Sequence, residues 1–86
     1  MHPRVTDVEV VPPYRLTLTF ADGSTGTVDC ARWVLEKEAG IFAPLRDPSL
    51  FAQVFVDHEA GTVVWPNGAD VDPDTLYQEA HRPVTT

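Results

Sequence analysis

The chain is poor in cysteine, in positive charge and in long apolar runs, and each shortage excludes a class of protein. Cys30 stands alone, so no internal disulfide framework and no cysteine-based zinc site can be built. No apolar stretch reaches the length of a membrane-spanning helix. Met1-His2-Pro3-Arg4 leads straight into a strand pattern without a signal peptide, so the expected location is cytoplasmic and away from membranes. Six lysines and arginines face thirteen acids, a formal net charge of −7. The bases are scattered as Arg4, Arg15, Arg32, Lys37, Arg46 and Arg82. That is no footprint for a phosphate backbone, so direct nucleic-acid binding is not expected. An acidic surface fits a basic protein partner, and it fits plain solubility as well.

What is present suffices for one small core. Eighty-six residues, 43% of them apolar, predict a single domain over 1–86 that needs no metal or disulfide staple. Val5 to Val11 alternates, with Thr6, Val8 and Val10 on one face and Asp7 and Glu9 on the other, until Pro12-Pro13 stops the strand. Tyr14, Leu16, Leu18 and Phe20 share one face of a second strand whose opposite face is rich in threonine. Asp22-Gly23 marks a hairpin. A three-residue loop, Ala21-Asp22-Gly23, pairs Leu16 with Val28 and Tyr14 with Cys30, whereas a two-residue loop would turn Val28 to the polar face. The longer loop keeps the apolar side chains together and makes Cys30 a packing residue.

Ala31 to Ala39 reads as a short helix with Ala31, Val34 and Leu35 on one face, ended by Gly40 with Ile41 packing back on Leu35. Glu36-Lys37-Glu38 is its solvated side. Asp47-Pro48 and Asp72-Pro73 are two helix starts of the same design, an acceptor at the cap followed by proline at the first helical position. The second of these opens a last helix from Pro73 to about His81, with a frayed tail over 82–86. Between the two starts, Val54-Phe55-Val56 and Thr62-Val63-Val64-Trp65 form a second hairpin around His58-Glu59-Ala60-Gly61, Val56 opposite Val63. Both faces of this pair are apolar, so a central or covered place is expected. The fold class is α+β, a small antiparallel sheet of about five strands in two hairpins plus the N-terminal strand, packed with two or three short helices.

Candidate functional residues gather near the C-terminal end. Trp65, Asn67, Asp70, Tyr77 and Tyr14 form the candidate binding group, because tryptophan and tyrosine combine large contact area with a polar tip. The plain structural reading puts Trp65 and Tyr77 in the core and gives Asn67 to a turn. Asn67 precedes Gly68, which already supplies the turn's flexible residue and leaves the Asn67 side chain freer for a partner. Asp70, Asp72 and Asp74 have the D-x-D-x-D spacing of a calcium loop, but Thr75 and His81 stand where that loop wants glycine and glutamate. Capping explains Asp72 and Asp74 without a metal. None of His2, His58 and His81 has a serine, cysteine or second histidine at a supporting spacing. No cofactor, metal site or enzymatic activity is expected.

Tyr14-Arg15-Leu16, Phe20-Ala21-Asp22-Gly23, Asp29, Pro44-Leu45-Arg46-Asp47, Leu50-Phe51, Trp65-Pro66-Asn67-Gly68-Ala69-Asp70, Asp72-Pro73 and Leu76-Tyr77 together resemble the bacterial domain-of-unknown-function family numbered 2442, over roughly residues 5 to 78. The resemblance implies a small α+β fold and carries no catalytic residues. Some relatives bear an added helix-turn-helix domain and others lie beside a second small protein, which invites regulatory or toxin–antitoxin-like readings. A chain ending at Thr86 leaves no room for such an appendage, so a regulatory role is expected to need a separate partner. The expected function is a non-catalytic protein-interaction or regulatory module with a protein partner, a homodimer being compatible. A small-ligand sensor using the aromatic residues near Trp65 is the alternative, and a hydrolytic enzyme the third reading.

Overall fold

A computed structural model describes residues 3–81. Its elements run β1 (Val5–Val11), β2 (Arg15–Phe20), β3 (Thr25–Asp29), α1 (Ala31–Val34), a 3₁₀ segment (Gly40–Arg46), α2 (Pro48–Phe51), β4 (Phe55–Asp57), β5 (Thr62–Val64) and α3 (Pro73–Ala80). The α+β class stands, with one correction to the architecture. The five strands divide into an antiparallel sheet ordered β1-β2-β3 and a separate β4-β5 ribbon. β1 adjoins the ribbon's loop without joining its ladder: the Val5 amide donates to the Gly61 carbonyl at 2.9 Å, and Arg4 reaches the His58 and Glu59 carbonyls.

The first hairpin has the three-residue loop that the alternation demands. Leu16 pairs with Val28 and Leu18 with Gly26, the Phe20 amide reaches the Ser24 carbonyl at 2.9 Å, and Gly23 holds φ +87°. Leu16, Leu18, Phe20, Val28 and Cys30 consequently share the buried face. β1 departs from the expected facing. A bulge between Val5 and Asp7 inserts Thr6, so Val5 turns inward opposite Phe20 while Thr6 is exposed. β1 and β2 are joined by Pro12-Pro13-Tyr14, with the Pro12–Pro13 bond cis.

The helix expected over 31–39 is the largest correction. α1 stops at Val34 after four residues. The cause lies eleven positions downstream of Leu35, the C-terminal cap of α1. The Arg46 guanidinium donates from Nε to the Val34 carbonyl and from Nη2 to the Glu36 carbonyl, both at 2.8 Å. Those carbonyls find their donors in a side chain rather than in a further turn of helix. Leu35 and Ile41, expected to pack on each other, are instead 55% and 51% exposed.

Both Asp-Pro starts form as read. Asp47 accepts from the Ser49 amide at 3.0 Å and Asp72 from the Asp74 amide at 2.8 Å, with Pro48 and Pro73 opening their helices. α3 ends at Ala80 with His81 as its cap, one residue short of the expected end; the tail at 82–86 lies outside the described residues. The β4-β5 register is as read, Val56 opposite Val63, but Phe55 is 47% exposed, so that face of the ribbon is not covered. The core fills the space between the β1-β2-β3 face and a roof of Val34, Leu45, Phe51, Val63, Trp65 and Leu76. α3 lies close on β3, where a β-carbon at Gly26 would fall 2.4 Å from the Ala80 carbonyl oxygen.

Candidate functional site

Trp65 follows β5 directly and is an interior residue, 1% exposed. Its indole Nε1 donates to the Phe51 carbonyl at 3.0 Å, so the polar tip is satisfied inside the protein. Phe51 lies 5.6 Å from it and Phe42 6.3 Å, ring centre to ring centre. The contacts continue outward at both ends. Tyr14 meets Phe51 edge-on at 5.6 Å and donates its hydroxyl to the Arg46 carbonyl at 2.6 Å, while Trp33 lies 6.4 Å from Phe42. A row Tyr14–Phe51–Trp65–Phe42–Trp33 thus crosses the molecule, with Trp65 at its centre.

The turn after Trp65 is a second copy of the first hairpin's loop. The Trp65 amide donates to the Ala69 carbonyl and the Gly68 amide to the Trp65 carbonyl, both at 2.9 Å; Gly68 holds φ +91°, and Val64 pairs with Asp70. Asn67 occupies the place Asp22 holds in the first loop. Each side chain accepts from the amide two residues on, Asn67 from Ala69 at 3.1 Å and Asp22 from Ser24 at 2.9 Å. The freedom expected for the Asn67 side chain is therefore absent. Its Nδ2 is also committed, donating to the Ile41 carbonyl at 2.9 Å. Asn67 clasps the start of the 3₁₀ segment to the turn, and Asp70 stays exposed two residues past Gly68.

Tyr77 belongs elsewhere. It projects from α3 to the first hairpin, donating its hydroxyl to Asp22 Oδ2 at 2.7 Å, with Phe20 at 4.9 Å and His81 stacked on it at 4.1 Å. The Ser24 hydroxyl and amide, together with the Tyr77 hydroxyl, hold the Asp22 carboxyl down at about 2. The bond to Asp22 correspondingly pushes the Tyr77 phenol up. Four of the five expected binding residues, Tyr14, Trp65, Asn67 and Asp70, lie along the aromatic row and its turn; Tyr77 forms a separate link between hairpin and helix.

The surface beside the row was not legible as such. Ala31, Arg32, Trp33, Leu35 and Glu36 line an open groove of about 500 Å³ on the α1 side. Leu35 stands exposed at it, and Ile41, held by Asn67, is exposed one residue before Phe42, the aromatic neighbour of Trp33. No local signal marks this surface in the sequence, because the arginine that ends α1 early, Arg46, comes from another segment. Arg32, one of the lining residues, is paired with Glu79, its Nη1 reaching the two carboxylate oxygens at 3.1 and 3.2 Å.

Among the described residues, no group of three or more histidines, cysteines and acids is placed to hold a metal ion. Nor is any helix among them long and apolar enough to cross a membrane. A comparison with curated proteins returned no match. Among solved structures, the chain is similar to "Putative DNA Binding Protein NE0471 from Nitrosomonas europaea ATCC 19718", with 32% identity and a TM-score of 0.76. The similarity covers 91% of this chain and 48% of that one, so the chain spans about half the length of that protein. A family model described as "Protein of unknown function (DUF2442)" matches residues 5–82, and the chain belongs to that family.

Proposed function

We propose that this chain is a non-catalytic protein-interaction module of a regulatory kind, one half of a small two-protein system. The observation that carries the reading is the clasp between Asn67 and Ile41. A side chain with both ends engaged fixes the backbone that carries an exposed aliphatic residue, Ile41, and a second one, Leu35, is exposed just after α1. Rigid presentation of exposed apolar groups is what a docking surface requires, because little ordering is left to do on binding.

The similar solved protein is named for DNA binding, and about half of it resembles this chain. For the present chain, with six bases against thirteen acids and a net charge of −7, a direct phosphate contact has little positive charge to draw on. Arg4 reaches backbone carbonyls, Arg15 lies 3.9 Å from Asp29, Arg32 binds Glu79 and Arg46 holds the end of α1. A nucleic-acid role, where there is one, would run through the partner, with this module supplying the contact to that partner.

The test is affinity capture from the source cells, followed by reconstitution from purified components. A discrete partner should form a stoichiometric complex with the wild-type chain and be lost from a Leu35→Ser/Ile41→Ser variant of unchanged melting temperature. A captured partner indifferent to that variant would remove this surface from the function. A purified chain with hydrolytic activity above that of its Asp22→Ala and His81→Ala variants would overturn the non-catalytic reading.

A further inference from the structure

β1, the longest strand among the described residues at seven residues, stands at the edge of its sheet, and its backbone is only half used. The Cys30 amide donates to the Tyr14 carbonyl at 2.8 Å and the Phe20 amide to the Ser24 carbonyl at 2.9 Å, so the even-numbered residues of β2 turn their backbone groups to β3. The odd-numbered ones, Arg15, Thr17 and Thr19, turn theirs to Val11, Glu9 and Asp7 on β1. The amides and carbonyls of Val8 and Val10 therefore point out of the sheet, and none of them has a hydrogen-bond partner among the described residues. The β4-β5 loop reaches this edge at Val5, through Gly61, and the bulge before Asp7 separates that contact from the run Asp7–Val11. The other edge strand, β3, lies against α3. A strand edge left open in this way is a template for a further strand.

The side chains of β1 then select the occupant. Val8 and Val10 share the face of Leu18 and Leu16 and are half-buried against the core. The opposite face of the sheet carries Asp7, Glu9 and Asp29 among its threonines, three acids against one base, Arg15. Arg15 lies 3.9 Å from Asp29, whereas Asp7 and Glu9, exposed opposite Thr19 and Thr17, are in no ion pair among the described residues. Like charges directly opposite destabilise a strand pair. A second copy joined antiparallel here, Val8 to Val8, sets Asp7 against Glu9, and Val8 to Val10 sets Glu9 against Glu9. Val10 to Val10 leaves only 9–11 to pair before Pro12. We propose that the free edge of β1 takes up an extended cationic segment of a partner protein as a further strand. Its apolar side chains would cover Val8 and Val10, and the lysines or arginines alternating with them would stand beside Asp7 and Glu9. α1 leaves from β3, at the opposite edge of the sheet, so this is a second surface beyond the one proposed above.

The experiment is a heteronuclear NMR titration of the whole chain with two synthetic peptides, one alternating valine with lysine and one alternating valine with glutamate. With the lysine peptide, amide exchange should slow at Val8 and Val10 and stay unchanged at Asp7 and Glu9, whose amides already belong to the ladder. Affinity should fall about tenfold in Asp7→Lys/Glu9→Lys, which should take the glutamate peptide instead, and should be kept in Leu35→Ser/Ile41→Ser. Val10→Pro removes an outward amide and no ladder bond, and should lose binding; where it fails to fold, the charge reversal at exposed positions decides in its place. Equal binding of both peptides by the wild type would overturn the cationic class. Binding without slowed exchange at Val8 and Val10, or binding lost in Leu35→Ser/Ile41→Ser, would overturn β1 as the site. Binding of neither peptide would overturn the proposal, while the capture experiment above still judges the module. Sedimentation showing a wild-type dimer that Val10→Pro abolishes would assign the edge to a second copy and overturn the proposal too.

Discussion

At the scale of single residues, much of the acid excess belongs to turn chemistry. Asp22, Asp29, Asp47, Asp57 and Asp72 each accept from the amide two residues further on, as Asn67 does, so five of the eight aspartates close a turn or cap a helix. This is how a chain of short elements satisfies backbone donors at its many ends. Cys30 is the opposite case, a titratable group with no polar task. It is 1% exposed, and burial pushes its thiol up to about 12 from an ordinary 9.0, with the Asp29 charge adding to the effect. Because the unfolded chain releases this proton at lower pH than the folded one, the contribution to stability is whole below about pH 9 and is lost as pH climbs toward about 12. Denaturant midpoints measured across that window should fall more steeply for the wild type than for Cys30→Ala. A thiol reagent should label Cys30 rapidly in denaturant and slowly in the native protein. Equal slopes together with rapid native labelling would mean that the site opens readily.

At the scale of elements, the first hairpin and α3 are tied through Asp22, whose carboxylate binds Ser24 on its own loop and Tyr77 on the helix. Its folded pKa, about 2, lies below its ordinary 3.8, so the stability it contributes is present above about pH 4 and is lost as pH falls through about 2. Acid titration of the unfolding midpoint should therefore show a slope in that window that Asp22→Ala flattens and Tyr77→Phe flattens partly. An Asp22→Ala profile parallel to wild type would remove Asp22 from the acid response. How far these elements could be read from sequence followed the range of their causes. The first hairpin was legible down to its register because strict alternation and Asp22-Gly23 act within a few residues. The Asp47-Pro48 and Asp72-Pro73 caps were legible for the same reason. The early end of α1 was not, because Arg46 imposes it from another segment. The pairing beyond Asn67-Gly68 is not legible although it repeats the first loop, since a single bridge, Val64 to Asp70, leaves no alternation in the sequence. Division of the strands into two sheets is likewise long-range: Val54 to Val56 is apolar on both faces, and its own residues do not say which strand will be beside it.

At the scale of the whole molecule, Asn67 joins two regions far apart in sequence, and its two hydrogen bonds can be separated by chemistry. Asn67→Ala removes both the acceptor for Ala69 and the donor to Ile41, and should lower stability by about 1 to 2 kcal/mol, since each exposed intramolecular hydrogen bond contributes about 0.5 to 1 kcal/mol net. Asn67→Asp keeps an acceptor for the Ala69 amide, as Asp22 does for Ser24, but sets a carboxylate oxygen against the Ile41 carbonyl. The turn should survive this change while the clasp on the 3₁₀ segment is lost. Hydrogen exchange would then quicken at Phe42, whose amide bonds the Ala39 carbonyl, and remain slow at Trp65 and Gly68. If the surface that Asn67 holds is the one a partner uses, Asn67→Asp should also weaken the complex while the melting temperature stays within a few degrees of wild type. Calorimetry of the purified complex decides between the two roles. Weaker binding at constant stability places Ile41 at the interface; unchanged affinity together with faster exchange at Phe42 leaves Asn67 a structural clasp and moves the interface elsewhere.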